Sequence, residues 1–389
     1  MKKILIAMAA SLLGAACSGP KSQPCEGAVS LLPASAFDTV LDGKAVSLHT
    51  LRNENGMTAQ ITGFGARVVA LWVPDAEGGF RDVVWGYESI ADYLAADDKF
   101  SGPVVGRYGN RIGKGRFELD GKEYTLTIND GENHLHGGSD GFWNKVWDAR
   151  PFETPDGEQA VALSYVSPDG EEGYPGTLSI EAVYTLTRDN ALKIEYRART
   201  DAPTVVNPTS HNYFNLHGST SGSTNSHVLT IHADRFTPTD EGLIPTGELA
   251  PVAGTPLDFT SPVAIGERIE SDFAPMIPAR GYDHNWVLNK DGNEMSLAAE
   301  VYEPATGIVM KVLTDQPALQ FYSGNFMDGT GTGKRGDRHD YRTGIALETQ
   351  NYPDAPNHAD FPSAVLRPGE EYTHTCVYAF EVRKPGAEE

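Results

Sequence analysis

The sequence predicts an all-β protein, built as a sandwich or a barrel. Apolar and polar residues alternate over several segments, which indicates strands with one buried and one solvated face. Glycine and proline, with 41 and 25 residues in a chain of 389, separate these segments as turn residues do. Helical periodicity is almost absent. Many short strands joined by such turns are typical of sandwiches and barrels.

The predicted elements follow one another along the chain with the same alternation. The best helix candidate is short and lies at 89–96. A hairpin is predicted where Phe117 and Leu119 precede Asp120-Gly121 and alternation resumes from Tyr124 to Ile128. The remaining predicted strands lie at 178–186, 192–198, 228–231, 308–313 and 377–382.

The first 17 residues predict an export signal of the lipoprotein type. Lys2 and Lys3 precede an apolar run at 4–14, which is too short to span a bilayer, and small residues then lead into Cys17. We expect Cys17 to carry the lipid and to make the only membrane contact, in a periplasmic protein. Ordinary cleavage after Ala16 is the alternative. We expect a flexible tether at 18–36 and one catalytic domain at 37–385.

The chain has three cysteines, so two remain once Cys17 carries a lipid. In an oxidising compartment Cys25 and Cys376 could form a disulfide that joins the two ends of the chain. The alternative is that both stay reduced, and the sequence leaves the choice open.

A formal net charge of −22 excludes one large class of partners. Such a surface repels phosphate backbones and releases no counterions on binding, so we expect no nucleic-acid partner. Polyanionic substrates are disfavoured as well, although one local basic pocket could hold a single phosphate. A neutral substrate fits the charge best.

Two polar clusters in the first half of the chain are candidates for a site. Arg107, Asn110 and Arg111 in the first could bind hydroxyls or a carboxylate, or form surface salt bridges. The second contains His134 and His136, which a strand would place on one face, as in a metal site. No third or fourth ligand lies nearby in sequence, so metal, catalytic and structural roles all stay open.

Three further clusters lie in the second half of the chain. His211 sits among amides and aromatics, where it could exchange a proton or be a satisfied core histidine. Asp283 could accept two sugar hydroxyls while an aromatic neighbour stacks on a pyranose, or it could form an Asx turn. Glu348 has apolar neighbours, so burial would raise its pKa and suit it to general-base catalysis, unless it is a surface residue on an edge strand.

Taken together, the polar residues of these five clusters favour cofactor-free proton transfer on a polyhydroxylated substrate. They offer one glutamate, histidines, an aspartate, and arginine and asparagine donors. The sequence has no phosphate-binding loop of the GxxxxGK[ST] type and no HExxH.

Nearly the whole chain, from about Gly63 to Glu381, resembles one known family, the aldose 1-epimerases or galactose mutarotases. The segments that carry the resemblance are GRYGNRI at 106–112, NHLHGG at 133–138, SPDGEEGYPG at 167–176, SHNYFNL at 210–216, IPTGE at 244–248, GYDHN at 281–285, ALQFYSGNF at 318–326, LETQNYPDAPN at 347–357 and LRPGEEY at 366–372. The resemblance implies a single large β-sandwich of bent antiparallel sheets, the galactose mutarotase-like supersandwich.

The resemblance also implies roles for individual residues. His211 looks like the general acid that protonates the ring oxygen, Glu348 like the general base that deprotonates the C1 hydroxyl, and His136 like a second histidine near the ring oxygen. The residues that look like substrate contacts are Asn110, Arg111, His136, Asn212, Tyr213, Asp283 and Gln320. We expect aldose sugars as ligands, no cofactor, no metal, and a monomer or weak homodimer.

The sequence departs from the family pattern at the edges of these motifs. Ser210 stands where asparagine is common, Tyr108-Gly109 replaces the commoner Val-Ala, and 218–226 is rich in Ser, Thr and Gly. We expect these departures to affect specificity more than mechanism.

Three alternatives remain at this stage. One is a glycoside hydrolase that uses Asp283 and Glu348 as its carboxylate pair. Another is a non-catalytic sugar-binding lipoprotein on the same fold. The third is a hexose-phosphate epimerase, which should need a clearer basic pocket than Arg107 and Arg111 supply.

Overall fold

Three main antiparallel sheets form the framework of residues 28–219 and 222–384, the part of the chain that the computed structural model describes. This confirms the predicted all-β class. The largest sheet has nine strands, in the spatial order Asp148–Glu153, Gln159–Ser167, Leu178–Leu186, Ala191–Thr200, Tyr372–Val382, Ile308–Thr314, Ser296–Tyr302, Val228–Ile231 and Val263–Ala264.

The second sheet carries most of the chemistry, and we call it the cleft sheet. Its six strands, in spatial order, are Tyr213–Phe214, Ile345–Gln350, Ala318–Tyr322, Asp283–Val287, Arg235–Thr237 and Ala250–Pro251. The third sheet has four strands, Leu48–Arg52, Thr58–Thr62, Arg67–Pro74 and Phe80–Asp82.

Short elements connect the sheets. The two-stranded pairs are Thr39–Leu41 with Lys44–Val46, Val104–Val105 with Thr209–Ser210, Arg111–Ile112 with His134–Leu135, Arg116–Leu119 with Lys122–Thr125, Thr204–Val205 with Val365–Leu366 and Gly331–Thr332 with Arg338–His339. The α-helices are Ile90–Ala95 and Met276–Ala279. The 3₁₀ turns are Ala34–Ala36, Gly113–Gly115, Phe142–Asn144, Glu171–Gly173, Ile265–Glu267, Lys334–Gly336 and Ala355–Asn357. None of the helices in the described ranges has the length and apolar character needed to cross a bilayer.

The predicted elements are found close to their expected positions. The helix begins after Ser89, whose hydroxyl accepts a hydrogen bond from the Asp92 N–H and so caps the first turn. The predicted hairpin forms, but its second strand ends at Thr125 and does not reach Ile128. Beyond that point the Leu126 N–H still donates to the Gly115 carbonyl, next to the first strand, but the Thr127 N–H donates to the Glu172 carbonyl, outside the hairpin.

One apolar core joins the three sheets. The cleft sheet contributes Trp286, Leu319, Phe321 and Leu347 from one face, while Glu348 and Gln320 alternate onto the other face. The large sheet covers the apolar face, since the Tyr378 hydroxyl donates to the Leu347 carbonyl at 2.9 Å. The polar side chains on the opposite face of the cleft sheet are therefore available to line a cleft.

The start of the described chain already contacts the domain. The Leu32 N–H donates to Gln60 Oε1 at 2.9 Å, and Gln60 Nε2 donates to the Leu32 carbonyl at 3.0 Å. The predicted signal, Cys17, Cys25 and the first part of the predicted tether lie outside the described residues. Cys376 is buried as a free thiol in the large sheet, and its pairing with Cys25 stays a prediction.

Candidate active site

A cleft of about 1500 Å³ opens on the polar face of the cleft sheet. It brings together most of the residues that the sequence singled out, although they come from distant parts of the chain. Those lining it are Asn110, Arg111, His136, His211, Tyr213, Asp283 and Glu348. Asn212 and Gln320 belong to the same region but do not line the cleft.

Glu348 lies at the buried end of the cleft. It occupies a central strand of the cleft sheet, directly opposite Gln320, so alternation directs it to the polar face. Only 2% of the residue is exposed. Burial raises the pKa of its carboxyl above the usual value, and the charge of Asp283 adds to this, while His211 and Arg111 oppose it. A carboxylate with a raised pKa is a stronger base.

His211 faces Glu348 from the segment that follows the short strand Thr209–Ser210. Its own N–H donates to the Pro103 carbonyl at 2.8 Å, which fixes the backbone. Its Nε2 lies 3.6 Å from Glu348 Oε1. This distance is longer than a hydrogen bond, so the two groups are not bound to each other. Each can therefore reach a different one of two oxygens that are attached to the same substrate carbon.

His136 completes the group through an unusual backbone conformation. The residue has a φ of 52°, and Gly137 follows at 87°. A Cβ at position 137 would lie 1.7 Å from the Gly106 carbonyl oxygen, so only glycine allows this close approach. The sequence prediction that the glycines permit a close backbone contact is confirmed.

A backbone hydrogen bond sets the chemistry of His136. The Asn110 N–H donates to His136 Nδ1 at 3.1 Å, so the neutral ring carries its proton on Nε2. Burial, with the nearby His211 and Arg111, holds the pKa of His136 well below its usual value. His136 is therefore a neutral hydrogen-bond donor beside the acid and the base.

The prediction that His134 and His136 share one face is wrong. The strand ends at Leu135, and His134 turns away from the cleft. Its Nδ1 lies 2.6 Å from the Thr127 carbonyl, and its Nε2 lies 2.6 Å from the Tyr174 hydroxyl. His134 is thus a satisfied core histidine.

The fold supplies the potential metal ligands that the local sequence lacked. One ligand atom each from His136, His211 and Glu348 lie within 4.8 Å of one another. However, a histidine ligand normally donates its other ring N–H to an acceptor. His136 Nδ1 instead accepts a hydrogen bond, which leaves the proton on the nitrogen that a metal would need. The donor set is better suited to proton transfer than to metal binding.

Asp283 is held in place for hydrogen bonding to a ligand. Gln320 Nε2 donates to Asp283 Oδ1 at 2.7 Å, and Arg111 Nη1 lies 3.6 Å from Asp283 Oδ2. Arg111 Nε in turn donates to Asp130 Oδ2 at 2.8 Å. Since Gln320 does not line the cleft, this geometry favours a positioning role for it over the direct sugar contact that the sequence suggested.

Asn212 and Tyr213 differ in their position beside His211. Asn212 Nδ2 donates to the Ser210 hydroxyl at 2.9 Å, behind the cleft wall. The Tyr213 ring lines the cleft with its centroid 4.9 Å from that of His211. Ser210, one of the departures from the family pattern, therefore contacts Asn212 and does not itself line the cleft.

Phe100 is a site residue that sequence reasoning missed. Its ring centroid lies 4.8 Å from that of His136 and 5.7 Å from that of His211, so it covers both imidazoles. The only available signal was an aromatic residue alone in a charged segment. The aromatic residues expected beside Asp283, Tyr282 and Trp286, lie in the core instead.

Arg107 has a structural role and does not line the cleft. Its buried guanidinium donates to the carbonyls of Pro175 and Gly176 at 2.8 and 2.9 Å. It is therefore neither a hydroxyl ligand nor a surface salt bridge. Carboxylates in the cleft lining outnumber the basic residues, which are Lys99, Arg111, Lys114 and Arg116. This balance disfavours a sugar phosphate.

Comparisons with known proteins agree with the geometry. A family model described as aldose 1-epimerase matches residues 47–379. The chain is 46% identical to a human galactose mutarotase over 326 residues, which cover 84% of this chain and 92% of the relative. It is 39% identical to an Escherichia coli aldose 1-epimerase over 341 residues, 87% of this chain and 96% of the relative.

Solved structures of similar proteins share the fold. An aldose epimerase homologue from C. elegans superimposes with a TM-score of 0.78 at 31% identity, over 87% of this chain and 99% of that one. A galactose 1-epimerase from Lactobacillus acidophilus gives a TM-score of 0.78 at 31% identity, over 88% and 97%.

Proposed function

The chain belongs to the aldose 1-epimerase family, and from this premise we propose that it interconverts the α and β anomers of free aldohexoses such as galactose and glucose, within hexose metabolism. The single observation that carries the proposal is the approach of His211 Nε2 to 3.6 Å from Glu348 Oε1 at the buried end of the cleft. A hemiacetal has two oxygens on C1, and its ring opens when one loses a proton and the other gains one.

Ring opening uses the acid and the base together. The Glu348 carboxylate takes the proton of the C1 hydroxyl while protonated His211 delivers a proton to the ring oxygen. The C1–O5 bond breaks, and C1 becomes an aldehyde carbon. Each positioned acid or base typically contributes about 10²–10⁴-fold to such a step.

Ring closure reverses the roles after a rotation. The open aldehyde turns about its C1–C2 bond and presents its other face to the C5 hydroxyl. His211, now neutral, takes the C5 hydroxyl proton, and Glu348 returns a proton to the carbonyl oxygen. Both residues end in their starting states, so no net proton is consumed.

The neighbouring residues orient the substrate during these steps. The His136 Nε2–H donates to the ring oxygen beside His211, as its tautomer allows. Arg111 and Asp283 bind the sugar hydroxyls, and Gln320 keeps Asp283 in position. Orientation of this kind lowers the free-energy barrier of the reaction, because the reacting groups are already held in the geometry that the reaction requires.

The rival functions each conflict with a feature of the site. A glycoside hydrolase would need Asp283 as its second catalytic carboxylate, yet Gln320 and Arg111 already engage that group. A sugar-binding protein without activity has no need for a buried base beside an acid. The mutarotase proposal uses both.

The test is the rate at which optical rotation of freshly dissolved α-D-galactose and α-D-glucose relaxes. We expect strong acceleration by the wild-type chain. Glu348→Gln and His211→Asn should each lower kcat by about 10²–10⁴-fold, since each removes one proton-transfer group. Matched controls are Glu248→Gln and His232→Asn, which make the same changes at exposed positions outside the cleft. Near-wild-type turnover in either active-site variant would refute the assigned roles.

We further propose that the protein is exported to the periplasm and anchored through a lipid on Cys17. Support comes from Lys2, Lys3, the apolar run at 4–14 and the small residues before the cysteine. Metabolic labelling with palmitate should mark the wild-type chain in a bacterial host and leave Cys17→Ser unlabelled. An unlabelled wild-type chain cleaved after Ala16 would instead support ordinary signal processing.

A further inference from the structure

The segment at 96–101, which we call the cover segment, places Phe100 over the catalytic end of the cleft. It directly follows the helix Ile90–Ala95. The Phe100 ring lies 4.8 Å from the ring of His136 and 5.7 Å from that of His211. Beneath it, only 6% of His136 and 3% of His211 is exposed. The cover segment therefore acts on both imidazoles, although the proposed proton transfers use none of its own side chains.

Asp98 organises the cover segment through two hydrogen bonds. Its Oδ1 accepts a bond from the Phe100 N–H at 2.9 Å, and its Oδ2 accepts one from the Ser101 hydroxyl. The next residue, Gly102, donates its N–H to the His211 carbonyl at 3.0 Å. Asp98 therefore fixes the backbone between the ring that covers the imidazoles and the point where the chain is attached to His211.

A second element packs against Asp98 from outside the cover segment. His339 ends the strand Arg338–His339, and its Nδ1 lies 3.9 Å from Asp98 Oδ2. The His339 ring stacks on Trp85 at 4.4 Å with an interplanar angle of 3°. Only 11% of the Asp98 side chain is exposed beside it. Asp98 consequently has little room to turn away from the cover segment.

The carboxylate of Asp98 could affect the reaction through its charge or through its hydrogen bonds. Arg111, Asp283 and neighbouring histidines supply the charges that act on the pKa values of the buried base and of His136. The two hydrogen bonds, in contrast, lead straight to the backbone of Phe100 and of Ser101. The contacts therefore favour the hydrogen bonds as the route by which Asp98 acts.

We propose that Asp98 is a positioning residue for ring opening and closure, because it holds Phe100 against His136 and His211. Both imidazoles then keep the orientation that proton transfer needs. A misplacement of about 1 Å in a reacting group can cost on the order of 10²-fold in rate. This inference rests on the proposed function, because it concerns the same proton transfers.

The test is a double-mutant cycle between Asp98 and Phe100 in the full chain, with kcat and KM measured for α-D-galactose. Asp98→Ala removes both hydrogen bonds and should lower kcat about tenfold, with KM within about twofold of wild type. Phe100→Ala should lower kcat at least as much. Adding Asp98→Ala to Phe100→Ala should cause no further loss, because the ring that Asp98 holds is then absent. Losses that multiply in the double variant would overturn the proposal.

Asp98→Asn separates hydrogen bonding from charge. The amide oxygen can still accept from the Phe100 N–H, and the amide NH₂ can bond to the Ser101 hydroxyl. The kcat of Asp98→Asn should therefore stay within about threefold of wild type. A loss as large as that of Asp98→Ala would assign the effect to the charge and contradict the positioning role. The matched control is Asp97→Ala, which removes the same charge at the exposed neighbouring position of the cleft wall and should change neither kcat nor KM.

Ser101→Ala is a milder variant for the case in which Asp98→Ala does not fold. It removes one of the two bonds to Asp98 and should lower kcat about two- to fivefold, with no added loss in the Phe100→Ala background. In that case, a wild-type kcat in Ser101→Ala would overturn the proposal. All of these outcomes leave the mutarotase proposal intact. If the wild-type chain did not accelerate mutarotation, the proposed function would fail, and the positioning role with it.

Discussion

His134 and His136 are two residues apart, yet they belong to different regions of the molecule. His134 lies in the core, with both ring nitrogens bound to the Thr127 carbonyl and the Tyr174 hydroxyl. His136 lies in the cleft, with one nitrogen fixed by the Asn110 N–H and the other left for a ligand. Burial lowers the pKa of both, that of His134 to about 4. Burial and a shifted pKa therefore do not separate a catalytic histidine from a structural one.

The same contrast recurs on the central strand Ile345–Gln350. Thr349 faces the large sheet, where its hydroxyl lies 2.9 Å from His374 Nε2. The Pro208 carbonyl binds the other nitrogen of His374 at 3.2 Å. Glu348, the preceding residue, faces the cleft, and its Oε2 has no hydrogen-bond partner within the described residues. Of these two neighbouring residues, the one that faces the cleft is therefore the one with a polar atom left without a protein partner.

Of the two histidines His134 and His136, the one in the cleft should have the larger effect on turnover when it is removed. His136→Ala should lower kcat by about a hundredfold, because a neutral donor at the ring oxygen is lost. The measurement is the initial relaxation rate of α-D-galactose at saturating sugar. If His136→Ala kept wild-type kcat and raised only KM, His136 would be a binding residue without a part in the chemical step.

The matched substitution in the core should act on stability and not on turnover. His134→Ala leaves a cavity and removes the partner of the buried Tyr174 hydroxyl, so the free energy of unfolding should fall by about 2–4 kcal/mol. Denaturant titration measures this loss. Folded His134→Ala should keep kcat within about twofold of wild type. A large loss of kcat in a folded variant would break the comparison, because it would give the core histidine a catalytic role.

The framework could be predicted from the sequence because its signal is local. Alternation over 178–186 and 228–231, for example, reproduces the strands that form there. The direction in which His136 points could not be predicted, because it depends on the close contact between Gly137 and Gly106, which are distant in sequence. Phe100 was missed for the same reason, because nothing near it in sequence reveals the imidazoles that it covers.

The site itself was found through the family resemblance and not through spacing. His136, His211 and Glu348 meet only because separate strands pair and alternate in register. Taken alone, each motif left catalytic and structural roles open. The resemblance named these three residues together, and the fold places their reactive atoms within reach of one another.

The smallest expected effect concerns the contribution of Glu348 to stability. Burial raises the pKa of its carboxyl in the folded state. The unfolded value is about 4.3. The folded protein therefore binds this proton more tightly. The resulting stabilisation is fully present below about pH 4.3 and is lost as the pH rises through the folded pKa. At neutral pH the ionised carboxylate is then a destabilising group, retained for its basicity.

Glu348→Gln should consequently be more stable than wild type at pH 7, by about 1 kcal/mol, although it turns over far more slowly. The advantage should shrink as the pH falls through the folded pKa and be gone below about pH 4.3, where both side chains are neutral. Urea titrations of both chains at several pH values measure it, with Glu248→Gln as the exposed control. If Glu348→Gln were less stable than wild type at pH 7, the charges of His211 and Arg111 would more than offset the cost of burying the carboxylate. Glu348 would then resemble the polar groups of the core, whose hydrogen bonds are satisfied within the protein.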